Sequence, residues 1–186
     1  FRSSNPVWGL RWQASPGLNV HLSAGRGFES PTLGELAYRA DGTGGFNTNL
    51  KAQSSTQIEL GFKARSALLD GDLALFEART DNEIGVATNA GGRSAFQNVG
   101  RTLRRGLEAG STWRVDRQWQ VRLAATVLQA RYEDRFLTCE GIPCTVPTAV
   151  VNPGNRIAGT PRAWAYLEWR RADPVLGDAA LEWRAV

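Results

Sequence analysis

Few residues in this chain have side chains suited to catalysis or to metal binding. Cys139 and Cys144 are the only two cysteines, and His21 is the only histidine. The cysteines lie in a proline-rich stretch and could form a disulfide or hold a metal, but two cysteines without a nearby histidine make a poor zinc site. No nucleophile elbow, P-loop or zincin motif is present. We therefore predict no catalytic site, no metal site and no cofactor.

Arginine and aromatic side chains in the long polar segments are the candidates for ligand binding. The arginine fork suits anions that carry carboxylates or catecholates, and aromatic faces stack on planar ligands. The candidate residues are Tyr38, Arg39, Phe46, Arg93, Phe96, Tyr132, Arg135 and Arg156. The alternative for each is an ordinary loop or strand residue. The net charge is +4, but the basic residues are spread without a run of five, so we predict no nucleic-acid partner.

Strands must position these residues, because apolar and polar residues alternate with period two along most of the chain. The alternation predicts strands over residues 7–14, 18–26, 56–66, 72–86, 95–115, 118–131, 160–171 and 178–185. The best helical candidate is one turn within residues 32–38, where Thr32 and Glu35 have the spacing of a capping box. The sequence therefore predicts an all-β chain.

The connections between the predicted strands alternate between short turns and long loops. The long loops are residues 27–55, 87–94 and 134–158. Short turns at one end and long loops at the other are typical of outer-membrane barrels, whose polar face lines the lumen and whose apolar face meets lipid. We predict an antiparallel up-and-down transmembrane β-barrel segment of about eight strands.

A soluble β-sandwich or small barrel, with its apolar face inward, is the alternative fold. Two features of the sequence weigh against it. Charges crowd the polar side of nearly every predicted strand, and six of the seven tryptophans lie near apolar strand ends. That placement of tryptophan suits an aromatic girdle at a membrane interface.

Four groups of residues, in order along the chain, carry a resemblance to a known family. They lie in residues 24–36 (AGRGFESPTLGEL), 47–63, 80–108 and 154–161. Each group is weak alone, but the ordered set resembles the TonB-dependent outer-membrane receptors over nearly the whole chain. Among them the chain is most similar to the YncD-like receptors, which share a two-cysteine loop before the fourth group.

The resemblance implies a receptor of about 22 strands around an N-terminal plug. It also implies the outer membrane of a Gram-negative bacterium, with lipid around the barrel and the TonB complex contacting the plug. Residues 1–186 would then be part of the barrel domain, without the plug and the other strands. Such a fragment has two open edges, at residues 7–14 and 178–186. We expect it to close into a smaller barrel, to self-associate or to need detergent.

The resemblance further implies active transport, usually of a ferric siderophore. The alternatives are another small anionic metabolite or cofactor such as pyrroloquinoline quinone, as in the YncD-like group, and a soluble binding module. Haem is disfavoured because none of the three long loops contains a histidine. Since envelope proteins mature in an oxidising space, we favour a disulfide between Cys139 and Cys144.

Overall fold

The computed structural model describes residues 2–41 and 43–186. Within them lie twelve strands and one short helix: β1 (Val7–Ser15), β2 (Leu18–Glu29), α1 (Leu33–Leu36), β3 (Gln53–Arg65), β4 (Leu69–Asp81), β5 (Ile84–Ala90), β6 (Arg93–Asn98), β7 (Thr102–Arg114), β8 (Trp119–Tyr132), β9 (Phe136–Thr138), β10 (Ala149–Val151), β11 (Ala163–Asp173) and β12 (Gly177–Ala185). Eight strands form one antiparallel sheet in the order β1-β2-β3-β4-β7-β8-β11-β12. The prediction of eight up-and-down antiparallel strands is confirmed.

Successive connections of the main sheet lie at alternate ends, because consecutive strands of the sheet are antiparallel neighbours. The turn end carries residues 16–17, 66–68, 115–118 and 174–176, and the loop end carries residues 30–52, 82–101 and 133–162. The three long connections therefore share one end, as predicted. In the first turn, Gly17 has φ +86°, and a Cβ atom there would lie 2.3 Å from the carbonyl oxygen of Arg65. Only glycine fits this position.

Two of the predicted strands are wrong in their length. Residues 72–86 and 95–115 each contain a break, where the chain leaves the main sheet to form the separate hairpin of β5 and β6. At the breaks, Asn82 and Gly100 have φ of 54° and 88°, which ends a strand. Across Gly100 the apolar residues Val99, Leu103 and Leu107 keep one phase, so periodicity alone could not find that break. Across Asn82 the alternation is weaker and the phase changes between Leu75 and Ile84. The predicted loop 87–94 is consequently the tip of this hairpin.

The predicted helical turn is present as α1, which is four residues long. The Thr32 side chain accepts a hydrogen bond from the backbone N–H of Glu35 (3.3 Å), and the Thr32 N–H donates to the Glu35 carboxylate (2.7 Å). This reciprocal pair is the predicted capping box. Among the described residues, no helix is long and apolar enough to cross a membrane.

The two faces of the main sheet differ in chemistry. One cross-strand row on the apolar face joins Leu10, Leu22, Leu60, Leu75, Leu107, Val127 and Ala163. The opposite face is polar and concave, because a cavity of about 960 Å³ on that side is lined from Arg11 of β1 to Tyr166 of β11. The apolar face is convex and open, with Val127 57% exposed. The soluble alternative, which places the apolar face inside, is therefore wrong for this sheet.

Buried side chains concentrate at the loop end of the sheet. Leu103 and Thr102, at the start of β7, are almost completely buried. Leu50 and Val99, in the long connections, and Ala130, near the end of β8, are buried as well. None of these buried residues lies at the centre of the convex face, where Leu75 and Val127 are exposed. The most completely buried side chains thus lie where the long connections join the sheet.

Candidate ligand-binding site

The three long connections (residues 30–52, 82–101 and 133–162) form what we call the loop layer. The β5–β6 hairpin lies at its centre, since both other connections form hydrogen bonds with it. This arrangement matters for function because loops held by a rigid scaffold are where binding residues concentrate.

On one side of the hairpin, asparagine side chains hold the first connection. The Asn98 side chain accepts a hydrogen bond from the backbone N–H of Lys51 (2.8 Å) and donates to the carbonyls of Lys51 (2.9 Å) and Asn82 (2.7 Å). The Asn47 side chain donates to the carbonyl of Phe96 (2.8 Å). These bonds satisfy backbone groups that have no strand partner, so they fix the path of the loop.

On the other side, the third connection pairs with the same hairpin. Asn89 and Cys144 exchange two backbone hydrogen bonds of 2.9 Å and 2.8 Å, and the Gln97 side chain donates to the carbonyl of Leu137 (2.7 Å). Cys144 is joined to Cys139 by a disulfide, with 5.9 Å between the two Cα atoms. The disulfide closes the short segment that meets the hairpin.

Where the hairpin joins β7, Glu83 and Arg104 form a partly buried ion pair. Arg104 donates to the Glu83 carboxylate at 2.6 Å and 2.9 Å, and the Thr102 hydroxyl donates to the same carboxylate. Burial raises the pKa of Glu83, but the hydrogen bonds from Arg104 and Thr102 outweigh it, and the pKa lies below its ordinary value. A cavity of about 400 Å³ adjoins the pair, and Gln53 and Thr80 also line it. The cavity has a charged, hydrogen-bonded wall.

A second ion pair, between Arg101 and Asp134, connects the second connection to the third. Asp134 accepts from the backbone N–H of Arg101 (2.8 Å) and from its guanidinium (2.8 Å). These bonds hold the pKa of the Asp134 carboxyl below its ordinary value and raise that of the Arg101 guanidinium. A Cβ atom on Gly100 would lie 2.7 Å from the Asp134 side chain, so the contact needs glycine beside it.

Three of the predicted ligand-binding residues present their side chains to solvent on the first connection and the hairpin. Arg93 lies over the ring of Tyr38, with 5.2 Å between the guanidinium carbon and the ring centroid. Phe46 is 62% exposed. The structure thus brings Tyr38 and Arg93 together and leaves a second aromatic ring, that of Phe46, open on the same connection.

Three others are engaged within the loop layer. Arg39 pairs with Asp41 (3.1 Å), and Phe96 is half-buried. Arg156 donates to the carbonyl of Thr160 (2.8 Å). These contacts give each residue a part in holding the loops, whether or not it also contacts ligand.

The last two lie at the start of the third connection. The ring of Tyr132 packs edge-on against Phe136, with 4.8 Å between the centroids. Arg135 is exposed. The eight predicted residues therefore lie at several places in the loop layer rather than in one pocket, and their contact with ligand stays a prediction.

Sequence analysis missed the side chains that hold the loop layer together, which are Glu83, Asn98, Arg101, Arg104 and Asp134. In an alternating sequence, each of them is indistinguishable from an ordinary solvent-facing residue. A signal existed for Glu83 and Asn98, because both are motif residues of the third group of the family resemblance.

The wall of the main sheet carries the single histidine but no metal cluster. The Nε2 atom of His21 lies 3.0 Å from Glu59, and the ring fills the space over Gly61, where a Cβ atom would lie 1.9 Å from it. In the part of the chain that the structure describes, no group of three or more histidine, cysteine, aspartate or glutamate residues could hold a metal ion.

Comparison with known proteins gives both a family and a fold. Residues 1–184 match the family described as TonB dependent receptor-like, beta-barrel. The siderophore receptor PirA from Pseudomonas aeruginosa superposes with a TM-score of 0.69 at 15% identity, over 96% of this chain and 29% of PirA. The ferric-catecholate import receptor Fiu from E. coli K12 gives 0.66 at 19% identity, over 96% of this chain and 24% of Fiu.

The copper transporter OprC is also similar, with a TM-score of 0.67 at 16% identity, over 96% of this chain and 24% of OprC. At such identities the likeness concerns the fold alone. The chain spans less than a third of the length of each of these three structures.

Proposed function

Because this chain belongs to the TonB-dependent receptor-like β-barrel family, we propose that it forms wall strands and ligand-facing loops of an outer-membrane transporter. The proposed cargo is a ferric siderophore. Transport would be the activity of a longer protein, since the chain spans 29% of PirA and 24% of Fiu. The family and these solved neighbours are receptors and transporters rather than enzymes.

The observation that carries this proposal is the position of the loop layer. It lies at one end of a concave polar wall, and its exposed arginine and aromatic side chains come from all three long connections. A ligand captured by these loops would next meet the charged and hydroxyl side chains of the wall. This is the order of contacts that uptake through a barrel requires.

The proposed orientation places the convex face in lipid. Its rows carry leucine, valine and alanine, while tryptophans such as Trp8, Trp12, Trp113 and Trp169 lie on the same face and are exposed. Exposed tryptophan suits the interface of a membrane, where its ring is partly apolar and partly polar. The TonB complex would act through a plug domain seated against the concave face.

The proposed ligand class follows from the exposed side chains. The guanidinium groups of Arg93 and Arg135 suit a catecholate- or carboxylate-bearing iron chelate, and the rings of Tyr38 and Phe46 can stack on its aromatic parts. The names of PirA, a siderophore receptor, and Fiu, a ferric-catecholate import receptor, support the same class.

The test is uptake of radioactive iron by cells that lack other iron receptors and produce the full-length receptor containing this chain. Ferric catecholate, ferric carboxylate and ferric hydroxamate chelates are supplied in turn. We expect uptake of one of the first two, and about tenfold weaker chelate binding for the double variant Arg93→Gln and Arg135→Gln, because two charge-assisted contacts are lost.

The matched control is Arg117→Gln, which removes an exposed arginine from a turn at the opposite end of the sheet. It should leave chelate binding unchanged. If folded receptor reaches the outer membrane and none of the iron chelates is bound or taken up, the siderophore proposal is wrong.

We propose a second possible cargo because the two-cysteine loop precedes the fourth group of motif residues, as in YncD-like receptors. In this alternative the cargo is a small anionic cofactor such as pyrroloquinoline quinone, whose planar carboxylate-bearing rings suit the same arginine and aromatic side chains. Competition between this compound and the bound iron chelate would separate the two candidates.

A further inference from the structure

The tip of the β5–β6 hairpin, residues 89–94, carries one of the proposed ligand-binding residues away from the main sheet. Its two-residue turn is Gly91-Gly92, and Arg93 follows the turn with an exposed side chain. No atom lies within 4 Å of the place that a Cβ would take at either glycine, so the turn itself is not held by a neighbouring residue. The position of Arg93 therefore depends on what holds the two strands below it.

Hydrogen bonds join the hairpin to the third connection at two levels. Near the base, the Gln97 side chain donates to the carbonyl of Leu137 in β9 (2.7 Å). Near the tip, Asn89 and Cys144 exchange backbone hydrogen bonds of 2.9 Å and 2.8 Å. Among the described residues, this exchange provides the only hydrogen bonds from residues 88–94 to any part of the protein outside the hairpin. The hydrogen bonding of the tip therefore depends on the position of Cys144.

The disulfide determines where Cys144 lies. Cys139 directly follows β9, which is paired with β10 over three residue pairs. Apart from the bridge between Cys144 and Asn89, residues 140–147 of the described chain make no backbone hydrogen bond. The bond to Cys139 thus ties Cys144 to the end of a paired strand. Without it, two backbone hydrogen bonds alone would have to order this segment, because the disulfide no longer restricts its open conformations.

The contacts continue from the hairpin tip to the first connection. Asn89 is paired with Ser94 across the hairpin, and Ser94 adjoins Arg93. The guanidinium of Arg93 lies over the ring of Tyr38, 5.2 Å from its centroid. A change at the disulfide should therefore reach two of the proposed ligand-binding residues, while the hydrogen bond at the base of the hairpin remains.

The disulfide is accessible from the outer side of the loop layer. Both cysteines are half-buried, and the four residues between them, residues 140–143, are exposed. In the proposed orientation this layer lies outside the membrane, so thiols dissolved outside the cell reach it without crossing lipid.

We propose that the Cys139–Cys144 disulfide is a site of thiol–disulfide exchange that controls ligand binding by the loop layer. In the oxidised receptor, Cys144 holds the hairpin tip and keeps Arg93 beside the first connection. In the reduced receptor, Cys144 leaves Asn89, and the tip is released. The control of ligand binding rests on the proposed function, whereas the release of the tip does not.

The co-reactant of this exchange is a small dithiol. One of its thiolates attacks a sulfur of the disulfide, the Cys139–Cys144 bond breaks, and a mixed disulfide forms while the other cysteine leaves as a thiolate. The second thiolate of the dithiol then displaces the cysteine that is still bound. The dithiol is thereby oxidised to a cyclic disulfide, and its two protons pass through water to the two cysteines.

The first test measures the release of the tip in the full-length receptor, purified in detergent and treated with dithiothreitol. Alkylation followed by mass spectrometry should find both cysteines as thiols. Hydrogen exchange of the Asn89 amide, which donates to Cys144, should become about tenfold faster. The Val99 amide is the internal control, because it donates to Glu83 at the base of the hairpin and should keep its rate.

The second test measures chelate binding by the oxidised and the reduced receptor. The probes are gallium(III) complexes of a catecholate and of a carboxylate chelator, because thiols reduce iron(III) but not gallium(III). Reduction should weaken binding about fivefold, since the charge-assisted contact of Arg93 is lost, and reoxidation should restore it. Arg93→Gln should bind more weakly when oxidised and show no further effect of reduction.

Two variants separate the disulfide from other effects of the dithiol. The double variant Cys139→Ser and Cys144→Ser should behave as the reduced receptor does and should not respond to dithiothreitol. Asn89→Pro removes the N–H that bonds Cys144 but keeps the β5–β6 ladder, because that N–H points away from β6. It should weaken chelate binding with the disulfide intact. Asn89→Ala is its matched control and should keep both the affinity and the response to dithiothreitol.

Four results would overturn the proposal. They are a disulfide that dithiothreitol does not reduce in the folded receptor, two free thiols with unchanged exchange at Asn89, faster exchange with unchanged chelate binding, and a full response in the double serine variant. If the receptor binds neither chelate, the siderophore proposal is wrong, and the exchange rate at Asn89 still decides whether the disulfide holds the hairpin tip.

Discussion

The wall and the loop layer of this molecule are held together in different ways. In the wall, strands of nine to fourteen residues pair through regular backbone hydrogen bonds, and Phe62 or Leu60 could change without altering the ladder. In the loop layer, single side chains such as Asn98 and Glu83 carry the contacts between connections. The structure of the wall therefore depends on backbone pairing and on the alternation of apolar and polar residues. The structure of the loop layer depends on particular side chains.

This difference predicts different responses to mutation. A substitution in the wall should lower the unfolding free energy mainly at a glycine that a neighbouring strand contacts closely. A substitution in the loop layer should have a local effect, whose size depends on how many backbone groups lose a partner.

The largest effect is expected at Gly106, in the wall. A Cβ atom there would lie 2.5 Å from the ring of Phe76 and 2.8 Å from the backbone oxygen of Val127. The ring can move, but the backbone of the neighbouring strand cannot, so Gly106→Ala should cost about 3 kcal/mol of unfolding free energy. Urea unfolding of the receptor in lipid vesicles measures this cost.

The matched control is Gly9→Ala, also in the wall. The nearest atom to a Cβ there is the carbonyl oxygen of Leu22 at 4.0 Å, so the unfolding free energy should change little. Equal costs for the two alanine variants would mean that close approach between strands does not set the tolerance of the wall.

The second variant, Asn98→Ala, tests the loop layer. It removes three hydrogen bonds, two to Lys51 and one to Asn82, and leaves backbone groups of both residues without partners. The expected cost is about 2 kcal/mol in the opening free energy of the first connection. Hydrogen exchange at residues 43–52 should speed up accordingly, while the wall strands keep their protection.

Asn89→Ala is the control for this variant, because Asn89 meets the third connection through its backbone. Its exchange rates should match those of the unmodified protein. Faster exchange throughout the wall in Asn98→Ala would show that the two regions unfold as one unit.

These two regions also differ in how far the sequence predicts them. Alternation located the eight wall strands, because a sheet that meets lipid on one face and water on the other imposes a period of two. It failed at Asn82 and Gly100, where the chain leaves the main sheet, and at Gly100 the apolar residues keep one phase across the break. Backbone conformations of this kind leave no trace in a hydrophobic pattern.

The candidate site was predicted only in part for a related reason. Composition pointed to arginine and aromatic residues in the loops, and the structure places Tyr38 beside Arg93. Composition could not show that Glu83 pairs with Arg104 or that Arg101 pairs with Asp134. Those pairings depend on how the β5–β6 hairpin lies between the other two connections. Long-range partners in irregular segments have no fixed spacing in sequence.

The third prediction concerns pH and Glu83. Since its pKa is lowered in the folded protein, Glu83 contributes stability that is fully present above its ordinary value of 4.5 and is lost as the pH falls through the lowered value. The opening free energy of the β5–β6 hairpin should therefore fall in acid below about pH 4.5. Exchange of the Val99 amide, which donates to the Glu83 carbonyl, reports this opening.

Glu83→Gln should remove that acid dependence and cost about 1.5 kcal/mol at neutral pH, because Arg104 loses its charged acceptor. Asp41→Asn is the control, since this exposed carboxylate pairs with Arg39 in another connection. If Glu83→Gln keeps the full acid dependence, then a different carboxylate is responsible for it.

The smallest effect is expected for the contact between Arg93 and Tyr38. Both side chains are exposed, and a cation–π contact in such a place contributes about 0.5 kcal/mol. Tyr38→Leu should therefore change the opening free energy of the first connection by no more than that amount, and Phe46→Leu, which removes a ring with no such contact, should change it less. Hydrogen exchange at residues 43–52 measures both variants under the same conditions as Asn98→Ala. A cost for Tyr38→Leu as large as that for Asn98→Ala would mean that ring contacts hold the loop layer as strongly as amide hydrogen bonds do. If instead both leucine variants leave the loops intact and weaken chelate binding, then these rings serve the ligand rather than the fold.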